Sequence, residues 1–301
     1  MTRRELLALA AAAPALAANA PKIAITMDDV NWRAIPVPYA REVNARLLGA
    51  LKDHGGSRVA LFVVGKHVEN ETGRKILQSW SDAGHLIGNH TYSHRNYASM
   101  DAAAFASDIE RCEPIVDKFP GFRKFFRFPL LKEGNTAAKR DWMRGFLRDH
   151  GYRNGHVTVD ASDWYYDARL RERLEKDPAF DPARFRQPYL DHIWDRATYY
   201  DGLARRALGH TVPHTLLIHY NLLNSLFLAD LLEMFRSKGW KVIDAQEAYA
   251  DAVFTRTPRI VPAGESLIWA LAKETGRFEG ELRYPGEDDV YERPRLDRLG
   301  L

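Results

Sequence analysis

Two histidines, His90 and His94, stand four residues apart directly behind the short apolar run Leu86-Ile87-Gly88. Neutral imidazole is the commonest protein ligand for a transition metal. If the chain turns helical there, the four-residue spacing puts both rings on one face, where they can hold one ion. Upstream, Asp28-Asp29 closes another apolar run that begins at Ile23. In such a pair one carboxylate can bind metal while its neighbour accepts a proton from water. Two histidines and one carboxylate leave coordination positions open, as catalytic zinc requires and structural zinc does not. Position 91 is Thr, which argues against the HExxH arrangement of metalloproteases. The chemistry implied is metal-assisted hydrolysis. Either pair alone is common, since an Asp-Asp behind a strand is often a helix cap. Their joint placement at strand ends is what carries weight.

The elements that must position them are seven short apolar runs: Lys22–Met27, Arg58–Val64, His85–Asn89, Lys124–Phe128, His156–Val159, Thr215–His219 and Lys241–Asp244. Each has strand length and is rich in Val, Ile, Leu or Phe. Amphipathic stretches lie between them, several stopped by glycine, as at Gly55-Gly56, Gly84, Gly151 and Gly239. Strand and helix in alternation imply parallel strands with helical crossovers. Asp28-Asp29, His90, Arg127, Asp160 to Asp163 and His219 all fall at the C-terminal ends of their strands. Five strand ends converging on one mouth favour a closed barrel over an open sheet, which gathers mainly two. The expected fold is α/β, a distorted (β/α)7 barrel over residues 21–251. A charged, aromatic insertion at 166–212 precedes the sixth strand and carries a helix around Leu190, Ile193, Trp194 and Ala197. It is expected at the rim, as a substrate cover or a solvated decoration. Residues 252–301, rich in Arg, Pro, Gly and acids, are expected to wrap the surface loosely.

Composition narrows the function further. The chain has 301 residues and a formal net charge of only +3, with basic residues dispersed. No phosphate-tracking stripe is visible, so nucleic acid is not the expected partner. Arg3-Arg4, an apolar centre from Leu6 and the small-residue pattern Ala18-Asn19-Ala20 describe a secretory signal peptide over residues 1–20. Its start is similar to a twin-arginine export signal. No stretch is long enough for a transmembrane segment. Export to the periplasm or the exterior is therefore expected. The one cysteine, Cys112, shares helical spacing with Phe105, Ile109 and Val116 and reads as a core thiol.

Five motifs in order, from about residue 22 to residue 245, resemble those of the carbohydrate esterase family 4 polysaccharide deacetylases, the NodB-homology family. Thr26-Met27-Asp28-Asp29 is similar to the first, whose usual form is TFDDG. Gly84 to His94 is similar to the second, Arg127-Phe128-Pro129 to the third, Asp160-Ala161-Ser162-Asp163-Trp164 to the fourth and Leu217-Ile218-His219 to the fifth. The resemblance implies that Asp29, His90 and His94 bind the metal and that Asp28 is the general base. It implies that Arg127 pairs with Asp28, that His219 is the general acid and that Asp163 orients His219. Asp160 and Asp167 compete for that last role; Asp163 is favoured because Trp164 follows it. The backbone N–H of Leu130 would help hold the oxyanion. Trp32, Tyr92, Trp164 and Tyr220 are the expected sugar-stacking aromatics. His85 reads as structural, and the remaining histidines, His67 among them, receive no role. Two departures bear on substrate: Val30-Asn31 replaces the usual Gly-Pro, and Leu130 replaces an aromatic.

The expected activity is removal of N-acetyl groups from a peptidoglycan-like or chitin-like glycan, with zinc the expected divalent metal and cobalt or nickel as alternatives. O-deacetylation of xylan or an exopolysaccharide is a second enzymatic reading. An inactive glycan-binding module is a reading from another class, against which the full set of ligands, base and acid argues.

Overall fold

The computed structural model describes residues 20–283 and 289–301. The expected leader lies outside the described residues apart from Ala20. Among the described residues no helix is long and apolar enough to cross a membrane.

The central strand, β1 (Lys22–Asp29), is buried along nearly its whole length, as befits a strand covered on both faces. Around it run β2 (Ala60–Val63), β3 (Leu86–Asn89), β4 (Phe122–Phe126), β6 (Arg153–Asn154), β7 (Pro213–His219) and β8 (Lys241–Val242), in the order β6-β4-β3-β2-β1-β7 with β8 also on β1. Every pairing in this sheet is parallel. The segment after β6 curls the sheet round on itself. Asn154 is in register with Phe126 of β4, and five residues later Val159 bridges Leu216 of β7. The sheet is thus the distorted (β/α)7 barrel expected. The fifth strand departs from the expected His156–Val159: its regular part lies at Arg153–Asn154, and the apolar run after it makes only the closing bridge.

Register sets the level of the strand ends. Asp29 pairs with Val63, Val63 with Asn89, Asn89 with Phe126, and Asp28 with His219. The next residues along these strands, His90 and Arg127, therefore emerge at one mouth beside both aspartates.

The helical insertion expected before the sixth strand is present, and the 166–212 segment is not a solvated decoration. It forms the helices Asp163–Lys176 and Arg186–Leu208, and the second buries Tyr189, Ile193, Ala197, Tyr200 and Leu203 in the main core. It is the crossover that carries the chain into β7. The 252–301 segment is not loose either. Its run Leu267 to Ala272 is apolar all round, forms the helix Leu267–Glu274 and is buried throughout. The segment is tied in by a small antiparallel sheet between β5 (Lys132–Gly134) and β9 (Ala263–Gly264), and by Leu267 N–H donating to the Val157 carbonyl at 2.7 Å. The overall count of Arg, Pro and Gly hid this short apolar run.

Candidate metal centre and active site

Asp29, His90 and His94 place one ligand atom each within 4.8 Å of one another. The Nε2 atoms of His94 and His90 lie 3.3 and 3.6 Å from Asp29 Oδ1. That oxygen is buried and has no hydrogen-bond partner among the described residues. A buried carboxylate oxygen left without a donor carries a cost unless something else satisfies it. His90 Nδ1 faces the Arg127 carbonyl at 2.8 Å. A carbonyl only accepts, so the proton sits on Nδ1 and the Nε2 lone pair is turned towards Asp29. Burial, joined by the neighbouring His94, holds His90 well below the usual histidine range, and burial lowers His94 as well. Both imidazoles are therefore kept in the neutral form that binds metal. An unpartnered carboxylate oxygen and two neutral lone pairs fit a divalent ion.

The histidines do not converge by way of a helix. Residues 91–96 form bends and loop, with Thr91 and His94 in the left-handed region at φ 65° and 56°. Side chains hold this turn: Asn89 Oδ1 accepts from Thr91 N–H at 2.8 Å, Thr91 Oγ1 accepts from His94 N–H at 2.9 Å, and Asp108 Oδ2 accepts from Ser93 N–H at 3.0 Å. Asp29 and Val30, at φ 74° and 51°, and Leu130, at φ 56°, are left-handed too. Non-glycine residues so placed collect at functional sites, each costing roughly 1–3 kcal/mol.

Asp28 has a different environment from its neighbour. Arg127 Nη1 donates to Asp28 Oδ1 at 2.6 Å and to Thr26 Oγ1 at 2.9 Å. The Arg127 Nε donates to the Gly155 carbonyl and its Nη2 to Tyr249 Oη, both at 2.9 Å. The guanidinium lies 3.9 Å over the Phe62 ring. Gly155 is required here, because a Cβ would fall 2.3 Å from that ring. Burial pushes Asp28 up to about 6, against the pull of Arg127 and His219. A carboxylate with affinity for a proton near neutrality is suited to general-base work.

Across the mouth, His219 Nδ1 donates to Asp163 Oδ1 at 2.8 Å. The other Asp163 oxygen accepts from the His219 backbone N–H at 2.8 Å, Asn221 Nδ2 at 3.0 Å and Asn224 Nδ2 at 2.8 Å. Burial opposes protonation of His219, but the charge and hydrogen bond of Asp163, joined by Asp29 and Asp28, outweigh it and raise the imidazole to about 10. Of the three competing aspartates, Asp163 is the one on His219; Asp167 instead accepts from Leu223 N–H and Arg171.

The aromatic residues divide. Trp164 is 40% exposed at the start of its helix. Trp32 is half-buried and donates from Nε1 to the His67 carbonyl at 2.9 Å. Tyr92 lies under the Arg111 guanidinium, its hydroxyl on the Glu69 carboxylate. Tyr220 is buried against Trp80 and cannot offer a stacking face. Leu130 is exposed, on the turn after Arg127. His85 accepts from Val59 N–H, in keeping with a structural role. Sequence reasoning passed over Tyr249, Asn221, Asn224 and His67. His67 Nδ1 meets the Asp29 carbonyl at 3.3 Å and so braces the left-handed turn. Nothing in spacing could single it out, because its contact is to backbone.

The family model described as polysaccharide deacetylase matches residues 16–154, which include Asp28, Asp29, His90, His94, Arg127 and Leu130 but stop short of Asp163 and His219. A peptidoglycan-N-acetylglucosamine deacetylase of Bacillus cereus is 30% identical over 147 residues, 48% of this chain and 47% of that protein. The chain spans about half the length of the curated relatives it matches. Among solved structures, the chitin deacetylase of the fungal pathogen Colletotrichum lindemuthianum superposes with a TM-score of 0.53 at 20% identity, covering 78% of this chain and 89% of that one. A CE4 family pseudoenzyme of Bacillus anthracis superposes with a TM-score of 0.53 at 18% identity, covering 76% and 66%. These two likenesses are of fold.

Proposed function

We propose, from the match of residues 16–154 to the polysaccharide deacetylase family model, that the protein hydrolyses N-acetyl groups on a peptidoglycan-like or chitin-like glycan. The observation that carries this reading is the division of labour between two adjacent carboxylates. Asp28 is tied to a buried guanidinium at 2.6 Å, whereas Asp29 leaves an oxygen to two neutral imidazoles. Asp29, His90 and His94 would hold a divalent ion, zinc by the mixture of nitrogen and oxygen ligands, with cobalt and nickel able to take the same set. When bound, such an ion polarises the acyl carbonyl and makes water more acidic.

The chain's own residues supply the rest. Asp28 accepts the proton of the attacking water as its oxygen bonds to the acetyl carbon. His219, protonated at neutral pH, gives a proton to the amine nitrogen as the C–N bond breaks, releasing acetate and a free amine. Asp163 fixes the ring so that Nε2 faces the mouth. The Leu130 amide is the backbone donor for the oxyanion. Trp164 and Trp32 are the aromatic surfaces for sugar. Export, encoded by residues 1–20, brings the protein to a wall glycan; the N-terminal residue of the mature protein tests this, and a chain still starting at Met1 counts against it.

The decisive measurement is acetate release from a panel of N- and O-acetylated glycans, with and without chelator. Asp28→Asn is expected to keep its metal and lose activity by at least about 100-fold, the scale of a general base, while His90→Ala loses the metal. Normal deacetylation by Asp28→Asn overturns the mechanism. Release from O-acetylated substrates alone makes the protein an esterase. Stoichiometric metal with no acetate from any glycan makes it a binding module.

A further inference from the structure

Outside the family match, a buried relay runs from the C-terminal helix to the acid side of the active site. Glu292, on the helix Asp289–Arg298, is 3% exposed. Its Oε2 lies 3.2 Å from His192 Nδ1 and accepts from Tyr166 Oη at 3.3 Å, while Arg283 Nη2 donates to its Oε1 at 2.7 Å. His192, buried in the helix Arg186–Leu208, stacks on Tyr166 with ring centroids 5.0 Å apart. Its Nε2 is 2.9 Å from the backbone N–H of Ser162, the residue immediately before Asp163. A backbone N–H only donates, so Nε2 must carry the lone pair and Nδ1 the proton. That proton points at Glu292. The carboxylate thereby selects the one tautomer that can hold Ser162.

We propose that Glu292 and His192 are positioning residues for the general acid: they fix the Ser162 amide, hence Asp163, hence the imidazole of His219. The inference rests on the proposed deacetylase reading. It gives the C-terminal segment a part in the reaction as well as in the core. Electrostatics agree with the geometry. Burial opposes ionisation of Glu292, yet the His192 hydrogen bond and the Arg283 guanidinium outweigh it and bring it down to about 2. Burial lowers His192, keeping the ring neutral. Without Glu292 the Nδ1–H would lose this acceptor; moving the proton to Nε2 would set N–H against N–H at Ser162.

The test compares Glu292→Ala with Glu292→Gln in the metal-loaded full chain. Glu292→Ala is expected to lower kcat about tenfold, the lower end for removal of an outer partner, with KM and metal content unchanged. Glu292→Gln keeps a carbonyl acceptor for Nδ1–H and is expected to restore most of kcat. If Glu292→Ala does not fold, His192→Phe keeps the stacking but removes the acceptor for Ser162, and the same loss of kcat is expected. Equal losses in Glu292→Ala and Glu292→Gln that follow a drop in Tm, or an unchanged kcat in Glu292→Ala, overturn the proposal. The 15N shifts of His192 report the tautomer without any activity: protonation at Nδ1 is expected in the wild type and its loss in Glu292→Ala. A wild type that releases no acetate ends the deacetylase reading, whereas a His192 tautomer unaffected by Glu292→Ala ends this one.

Discussion

His219 and Asp28 sit in register on neighbouring strands, and their surroundings move both groups in the same direction for opposite purposes. Burial raises Asp28 to about 6, and the charge of Asp163 helps to raise His219 to about 10 against its burial. Between those values Asp28 is a carboxylate and His219 an imidazolium, the pair of states an amide hydrolysis needs. The His219 shift also has a consequence for stability in the metal-free protein. A cation whose folded pKa lies above its unfolded value of 6.5 contributes fully below pH 6.5, and the contribution is lost as pH rises through about 10. Asp163→Asn removes that contribution along with hydrogen bonds that do not depend on pH. The difference in urea midpoint between wild type and Asp163→Asn, measured with chelator present, is therefore expected to be largest below pH 6.5 and to shrink steadily towards pH 10. A difference that stays flat over this range would show that Asp163 does not hold the His219 proton.

The strands were legible because their apolar runs are short, separated and followed by polar residues; β1, β3 and β7 match the runs at Lys22–Met27, His85–Asn89 and Thr215–His219 within two residues. The metal turn was legible in content and not in shape. HxxxH spacing points to a helix only if each residue can take helical angles, and here Thr91 and His94 are left-handed. What enforces this is non-local: Asp108 reaches in from the helix Ala102–Val116, and Asn89 spans two elements, accepting from Thr91 N–H while its Nδ2 donates to the Ile109 carbonyl at 2.9 Å and Tyr152 Oη at 3.0 Å. Asn89 is thus the joint between strand and ligand loop. Asn89→Ala is expected to leave the barrel folded but to weaken metal binding about tenfold, read by competition with a chelating dye. Undiminished metal affinity would mean that the loop holds its strained shape without this joint.

At the scale of the whole molecule, the matched domain and the folding unit differ in extent. The family match ends at residue 154, and the motif pattern ends near 245, so a barrel complete by residue 251 was the natural expectation. The core, however, continues past that boundary. Leu267, Ile268, Leu271 and Phe278 belong to the same core cluster as Ile23, Phe62 and Leu216. Ser266 Oγ donates to the Thr158 carbonyl at 2.8 Å, on the stretch that closes the sheet between β4 and β7. Lys132 of β5 and Glu265, beside β9, add an ion pair across the same junction. Removing residues 252–301 would therefore expose the apolar side of the closing segment and leave its carbonyls without donors. Full burial of one large apolar side chain is worth about 1.5–3 kcal/mol, and domain stabilities are about 5–15 kcal/mol; losing Leu267, Ile268 and Leu271 together is a loss of the same order as such a margin. A chain ending at Asp251 is expected to lack a cooperative urea transition and to bind metal no better than an unfolded peptide. A fragment of residues 20–251 that unfolds cooperatively and binds metal would show instead that the barrel stands alone.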